Sequence, residues 1–136
     1  MVKKILVLFL FSFMMWSSVN ATSVDIKKRL VQSIAYVESG NDSQKVSNCG
    51  KYVGILQISK VLVDDCNRII GEKKYKYEHR YDEQTSVEMF YIIQNHYNPS
   101  WDIEKAIRIW NGGPNYNKRK TEKYFQEVYS EYRKTK

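Results

Sequence analysis

The sequence predicts one mostly helical domain, and three observations support this fold class. Apolar residues recur at three- and four-residue spacing along most of the chain, which is the period of a helix with one buried face. Short clusters of Gly, Asn, Pro and Ser separate these periodic segments, as helix ends require. Residues 22–136 are enough to enclose one hydrophobic core and too few for two.

The first 21 residues have the layout of a secretory signal peptide. Lys3 and Lys4 precede an almost unbroken apolar run over residues 5–16, and Val19 and Ala21 supply small residues before a cleavage point. The apolar run is shorter than the roughly 20 residues that cross a bilayer, which favours cleavage over an uncleaved anchor. We therefore expect a secreted or periplasmic protein with a signal peptide at 1–21, one domain at 22–136 and no membrane span after cleavage.

The charge of the mature domain suggests the kind of partner it meets. Without Lys3 and Lys4, 20 basic residues stand against 15 acidic ones, a net charge of about +5. A basic exported domain suits an anionic partner such as cell-wall polymer, and solubility alone explains the charge equally well. The basic residues are scattered rather than lined along one helix, so we expect no nucleic-acid partner. We expect a monomer.

Two cysteines remain in the mature chain, Cys49 and Cys66. An oxidising compartment would allow a disulfide between them, which would contribute about 3 kcal/mol if its geometry were unstrained. Cys66 should face inward, and two buried free thiols are the alternative to the disulfide. His79 and His96 stand alone, without the close ligand spacing of a structural zinc site. We therefore expect no metal and no cofactor.

The first predicted helix covers residues 24–38, with Thr22 or Ser23 as its N-cap. Glu38 takes the next place in an apolar series that recurs every four residues, namely Ile26, Leu30 and Ile34. Residues 39–42 then end the helix. A carboxyl group therefore lies at the edge of the core, where burial can keep it protonated near neutral pH.

A polar loop, a short apolar run and a second helix follow. The loop covers residues 39–51, and the run at 53–58 contains Gly54. Ser59 caps a helix that ends at Gly71. Residues 73–81 alternate aromatic and charged side chains, which predicts at most a short β-hairpin or an extended loop.

Three more helices complete the predicted domain. Thr85 or Ser86 caps a helix through Tyr97 that is apolar on more than one side and therefore central, and Asn98 and Pro99 stop it. Ser100 caps the next helix, which ends at residues 111–114. Its buried face consists of Ile103, Ala106, Ile107 and Trp110. Thr121 opens the last helix, whose stripe is Phe125, Val128, Tyr129 and Tyr132.

Three short motifs occur in a telling order along these elements: Glu38-Ser39-Gly40, Gly54-Ile55-Leu56-Gln57-Ile58, and Trp110-Asn111-Gly112-Gly113-Pro114. This order resembles the lytic transglycosylases of the lysozyme-like superfamily, whose pattern is a Glu-Ser pair, a Gly-Leu-Met-Gln-Ile segment and a Tyr-Asn-Ala-Gly turn. The likeness spans nearly the whole mature chain. It implies a lysozyme-like fold and cleavage of peptidoglycan glycan strands, with 1,6-anhydromuramic ends as products.

The resemblance also assigns roles to particular residues. Glu38 matches the catalytic acid, and Ser47 matches a serine that helps to position the reacting site. Gln57 and Asn111 match polar residues of the substrate groove. Trp110 stands where the family usually has Tyr, and because an indole nitrogen donates but cannot accept a hydrogen bond, stacking on a sugar and packing in the core are its two alternative roles.

One carboxyl group suffices for the reaction that the resemblance implies. The C6 hydroxyl of muramic acid closes the ring, and the same glutamate first gives and then takes a proton, whereas most glycoside hydrolases use two carboxyls. Several acidic residues could supply a second one, but no motif marks any of them: Asp42, Asp64, Asp65, Glu83 and Glu88. A lysozyme-type hydrolase and a non-catalytic wall-binding or inhibitor module on the same fold are the alternative functions.

Overall fold

The computed structural model describes residues 22–134, which form five α-helices and one 3₁₀ helix. Helix α1 covers residues 22–39, and the others are α2 (Lys60–Ile70), α3 (Glu83–Tyr97), α4 (Ile103–Gly112) and α5 (Lys118–Lys134). The 3₁₀ helix, Tyr77–Tyr81, lies between α2 and α3. The prediction of a mostly helical domain is confirmed. The predicted signal peptide lies outside the described residues.

Helix α2 begins and ends as predicted, whereas α3 begins earlier. Ser59 Oγ accepts the Leu62 N–H at 3.2 Å, and Gly71 ends α2 in the left-handed conformation. The N-cap of α3 is Asp82, whose carboxylate accepts the Thr85 N–H at 2.7 Å, and not Thr85 or Ser86. An Asp side chain caps a helix as well as a hydroxyl does, so Asp82 can take the position that the sequence also offered to Thr85 and Ser86.

The predicted N-caps of the last two helices are also wrong: α4 begins later than predicted and α5 begins earlier. The N-cap of α4 is Asp102, which accepts the Lys105 N–H at 2.7 Å, and not Ser100. Helix α5 begins at Lys118, because Asn117 Oδ1 accepts the Lys120 N–H at 3.1 Å. The predicted cap Thr121 is instead a buried residue inside the helix.

Residues 73–81, all of which the structure describes, contain no strand, so the β-hairpin that the sequence allowed there is not formed. Residues 73–76 are irregular and lead directly into the 3₁₀ helix. The β-type pairing lies earlier, in two isolated bridges that join Val46 to Val53 and Val53 to Ile58. These bridges fold residues 46–58 back on themselves, which brings the second motif against the end of α1.

Helix α3 contributes to the core along much of its length. Met89 and Phe90 are fully buried, and the Phe90 ring centroid lies 4.9 Å from that of Trp110 on α4. The other helices and the 53–58 loop contribute the remaining fully buried apolar side chains: Leu30, Ile34, Leu56, Ile58, Val63, Cys66, Ala106, Ile107 and Val128. One continuous core therefore joins all five helices and the 53–58 loop.

A buried arginine on α4 holds α5 in place. Arg108 is 3% exposed, and its guanidinium donates to Glu104 at 2.8 Å, to Glu122 at 2.7 Å and to Thr121 Oγ1 at 3.0 Å. A buried charge needs such partners, because without them its desolvation would destabilise the fold. The position of α5 relative to α4 is thereby set.

The predicted disulfide is not formed, and this corrects the expectation from the sequence. Cys66 is fully buried, as predicted, and its thiol lies 3.6 Å from the Met89 carbonyl oxygen on α3. Burial raises the pKa of this thiol to about 12. Cys49 lies on an exposed turn, and both cysteines are free. The two side chains belong to different environments, one in the core and one on the surface.

Among residues 22–134, no helix is both long enough and apolar enough to cross a bilayer. The same residues contain no group of three His, Cys, Asp or Glu side chains close enough to hold a metal ion.

Candidate active site

Four of the five predicted site residues line one cavity. Glu38, Gln57, Trp110 and Asn111 come from three separate motifs and surround a space of about 310 Å³. Three further residues complete its walls: Tyr52, Ser59 and Leu62. Among the described residues that line this cavity, Glu38 is the only one with a carboxyl group.

Glu38 is half-buried at the C-terminal end of α1 and has one strong hydrogen bond. The Tyr124 hydroxyl on α5 donates to Glu38 Oε1 at 2.6 Å. Burial raises the pKa of Glu38 above its ordinary value of 4.5, and the Tyr124 hydrogen bond and the positive charge of Lys45 partly oppose that rise. Burial and the neighbouring carboxyl also raise the pKa of Tyr124 well above 10, so its hydroxyl keeps its proton and remains a donor.

Ser39 fixes the end of α1 on which Glu38 sits. Its buried hydroxyl lies 2.8 Å from the Ile55 carbonyl oxygen and 3.0 Å from the Ala35 carbonyl oxygen, and it accepts the Asp42 N–H at 3.1 Å. The serine therefore ends the helix and attaches it to the second motif. This contact is the structural role of the Glu-Ser pair in this chain.

Gln57 is held by the loop that carries it. Its side-chain nitrogen donates to the Gly54 carbonyl at 2.9 Å and to the Lys45 carbonyl at 3.2 Å. Its backbone is left-handed, with φ of 50°. With both amide hydrogens donated, the side-chain oxygen is the atom that Gln57 offers to an N–H or O–H group of a ligand.

Arg80 supports this loop from beneath. The side chain is buried, and its Nη1 donates to the carbonyl oxygens of Ile58 at 3.1 Å and Lys51 at 3.3 Å. Its own carbonyl oxygen lies against Gly54, where any Cβ atom would be 1.8 Å away. Gly54 also has φ of 82°. Only glycine satisfies both conditions, which explains why the second motif begins with this residue.

Trp110 and Asn111, at the end of α4, also line the cavity. The Trp110 indole N–H donates to the Leu56 carbonyl at 3.2 Å, so it ties α4 to the second motif. The indole ring is half-buried between Phe90 and the cavity. Asn111 is exposed at the last turn of α4, where its side chain is open to a ligand.

Ser47 lies outside the set of residues that line the cavity. Its hydroxyl accepts the Tyr52 N–H at 3.1 Å and lies 3.4 Å from Cys49 Sγ. It therefore orders the turn at residues 47–52 and holds Tyr52, which lines the cavity with 47% of its surface exposed.

Two further spaces lie next to this cavity along α2. A second space of about 490 Å³ shares Tyr52, Leu62 and Trp110 with the first, and a third of about 910 Å³ shares Asp64 and Arg68 with the second. We call these three neighbouring spaces the α2 groove. Their shared lining residues place them side by side along α2, an arrangement that suits an extended chain-like ligand more than a single small molecule.

The two aspartates in the α2 groove are engaged by other side chains. Asp64 accepts the Tyr77 hydroxyl at 3.1 Å. Asp65 accepts Arg68 Nε at 2.9 Å and the Tyr97 hydroxyl at 3.0 Å. Neither lines the cavity that contains Glu38.

Tyr124 and Tyr52 belong to the site, and the sequence did not single them out. Tyr124 lies four residues before the fully buried Val128, so it shares the inward face of α5, and this spacing was the available signal. Tyr52 follows the polar loop and has no periodic pattern around it. Only the folded loop places it in the cavity that Glu38 lines.

A comparison of this chain with models of protein families, with curated proteins and with solved structures finds no match to any of the three.

Proposed function

We propose that this protein is an exported peptidoglycan lytic transglycosylase with a lysozyme-like fold. The observation that carries the proposal is a half-buried glutamate of raised pKa that faces a cavity with Gln57, Trp110 and Asn111. The order of the three motifs and their meeting in one cavity support the same reaction class. The apolar leader at 1–21 supports export, and the open α2 groove suits a glycan strand.

In the proposed reaction, Glu38 acts first as a general acid. Because burial raises its pKa, this carboxyl group keeps its proton to a higher pH and can protonate the glycosidic oxygen between N-acetylmuramic acid and N-acetylglucosamine. The Glu38 carboxylate then takes the proton from the C6 hydroxyl of the muramic acid as this oxygen attacks C1. The Tyr124 hydroxyl stabilises the carboxylate between the two steps, because it donates to Oε1.

The side chains around Glu38 would orient the bound sugar for this proton transfer. The Gln57 side-chain oxygen and the Asn111 amide can hydrogen-bond the acetamido and hydroxyl groups. The exposed ring of Tyr52 and the half-buried ring of Trp110 offer apolar surface to sugar rings. The net positive charge would favour binding to an anionic wall, with a strength that falls as salt is added.

The chemical nature of the products tests the proposal. Purified peptidoglycan is digested with the protein, and the soluble muropeptides are weighed by mass spectrometry. We expect products with 1,6-anhydromuramic ends, which are lighter by one water molecule than the corresponding products of hydrolysis. Reducing ends would indicate a lysozyme-type hydrolase, and binding to the insoluble wall without release of fragments would indicate a non-catalytic wall-binding module.

Removal of the Tyr124 hydroxyl provides a second test. In Tyr124→Phe the Glu38 carboxylate loses its hydrogen bond, so we expect the pKa of Glu38 to rise further and the turnover rate to fall about ten-fold. The alkaline limit of the pH–rate profile should move to higher pH. Tyr129→Phe on the exposed side of α5 is the matched control and should behave like the wild type. An unchanged profile in Tyr124→Phe would contradict the role given to Tyr124.

A further inference from the structure

Lys45 lies in the loop after α1 and contacts the main chain of Glu38, the candidate acid. Its ammonium nitrogen donates to the Glu38 carbonyl oxygen at 3.0 Å. Carbonyl groups in the last turn of a helix lack partners within the helix and carry partial negative charge, so a cation is stabilising there. Lys45 thus fixes the end of α1 at the residue that carries the candidate acid.

The main chain of the same residue holds the other side of the cavity. The Lys45 carbonyl oxygen accepts the Gly54 N–H at 2.8 Å and the Gln57 side-chain amide at 3.2 Å. One residue therefore connects the end of α1 to the loop that presents Gln57. These contacts join two of the three motifs through a residue that belongs to neither.

The charge of Lys45 also acts on the Glu38 side chain through space. The ammonium contacts the main-chain carbonyl, and so the carboxyl group stays available to Tyr124 and to a ligand. The titratable and charged groups around Glu38 are Tyr124 from α5 and Lys45 from the loop after α1, which act on its carboxyl, and Tyr52, which lines the same cavity. Of these three, Lys45 is the cation, and its charge favours the ionised carboxyl.

We propose that Lys45 is a positioning residue for the Glu38 acid. Its ammonium fixes the C-terminal turn of α1 and stabilises the carboxylate after the proton has left, while its carbonyl holds the loop of Gln57. This inference deepens the proposed function and rests on it for the catalytic meaning of Glu38. The effect on the Glu38 carboxyl is a property of the folded protein alone.

Titration of the Glu38 carboxyl by NMR tests this proposal without any substrate. Glutamate is labelled with ¹³C in its carboxyl group, and Glu38→Gln identifies the Glu38 signal. In Lys45→Met we expect the midpoint to move to higher pH by about 0.5 unit, since loss of the positive charge disfavours the carboxylate. The difference should shrink in about 0.5 M salt, because Lys45 is exposed and its field is screened.

Three further variants serve as controls. Lys45→Arg keeps the charge and should titrate within about 0.2 unit of the wild type. Lys45→Gln is a second neutral variant that repeats the measurement with a different side chain. Lys51→Met removes an equal exposed charge from the same loop, and we expect it to leave the Glu38 midpoint unchanged.

The titration tests the role of Lys45, and the cleavage reaction tests the function. In Lys45→Met the alkaline limit of muropeptide release should move by the same amount as the carboxyl midpoint, because Glu38 must be protonated to act as the acid. Equal midpoints in Lys45→Met and the wild type would overturn the inference. A shifted midpoint in a protein that releases no muropeptides would leave the inference intact and overturn the proposed function.

Discussion

Replacement of Glu38 by Gln is expected to reduce cleavage of peptidoglycan by about 10³-fold or more, because the amide cannot give up a proton to the glycosidic oxygen. The amide oxygen can still accept the Tyr124 hydroxyl, so the fold should persist. Release of soluble muropeptides from purified wall measures the loss. Glu83→Gln, which removes an exposed carboxyl at the start of α3, is the control and should cleave normally.

The same variant should change stability in a pH-dependent way. Because burial raises the pKa of Glu38 in the folded protein, the folded state holds a proton that the unfolded chain releases above about pH 4.5. The stability that Glu38 contributes is therefore fully present below that pH and is lost as the pH rises through its folded pKa. Gln has no proton to lose, so Glu38→Gln should melt at a higher temperature than the wild type at about pH 8, and the difference should vanish at about pH 4.

Each of these two measurements has an outcome that would contradict the role given to Glu38. Normal cleavage by Glu38→Gln would remove Glu38 from the reaction and with it the proposed mechanism. Equal melting temperatures at both pH values would mean that the carboxyl is not held in the buried setting described above.

The second large effect is expected from Gly54→Ala. The new Cβ would lie 1.8 Å from the Arg80 carbonyl oxygen, and the residue would also have to keep φ at 82°. The clash involves main-chain atoms on both sides, so the 53–58 loop or the 3₁₀ helix must move. We expect a loss of about 2–4 kcal/mol in the free energy of unfolding, measured by urea denaturation, and a fall in cleavage because Gln57 is displaced.

Gly50→Ala is the matched control for this change. Gly50 has φ of 71°, yet no atom lies within 4 Å of a Cβ built there. This variant carries only the strain of the left-handed backbone, about 1 kcal/mol. The difference between the two variants isolates the contact with Arg80. Equal losses in both would show that the loop does not depend on that contact.

Local sequence patterns predicted the helices correctly, but they did not predict the first residue of every helix. The Ser59 cap and the Gly71 stop of α2 could be predicted because both signals are unambiguous and adjacent to an apolar stripe. The true start of α3 lies before the predicted one and that of α4 lies after it, since Asp82 and Asp102 compete with nearby hydroxyl residues for the same capping role. Local propensity does not decide between two good acceptors a few residues apart.

The disulfide prediction was wrong for a related reason. The number of residues between the two cysteines indicates that a disulfide could close the loop. It does not indicate whether the turn that carries a cysteine faces the core or the solvent. Cys66 points into the core toward Met89, whereas Cys49 lies on a surface turn. The direction of that turn depends on contacts that Ser47 and the 46–58 bridges make.

The sequence by itself determined a mostly helical domain, an inward-facing Glu38 and three motifs, because helical period, caps and stops act over a few residues. The tertiary structure alone decided that Gln57, Trp110 and Asn111 meet Glu38 in one cavity, and that Tyr124 and Lys45 act on its carboxyl. Tyr124 is 86 residues from Glu38 in the chain. Contacts of that range depend on how the helices pack, and side-chain packing around the shared core, rather than any local signal, sets that arrangement.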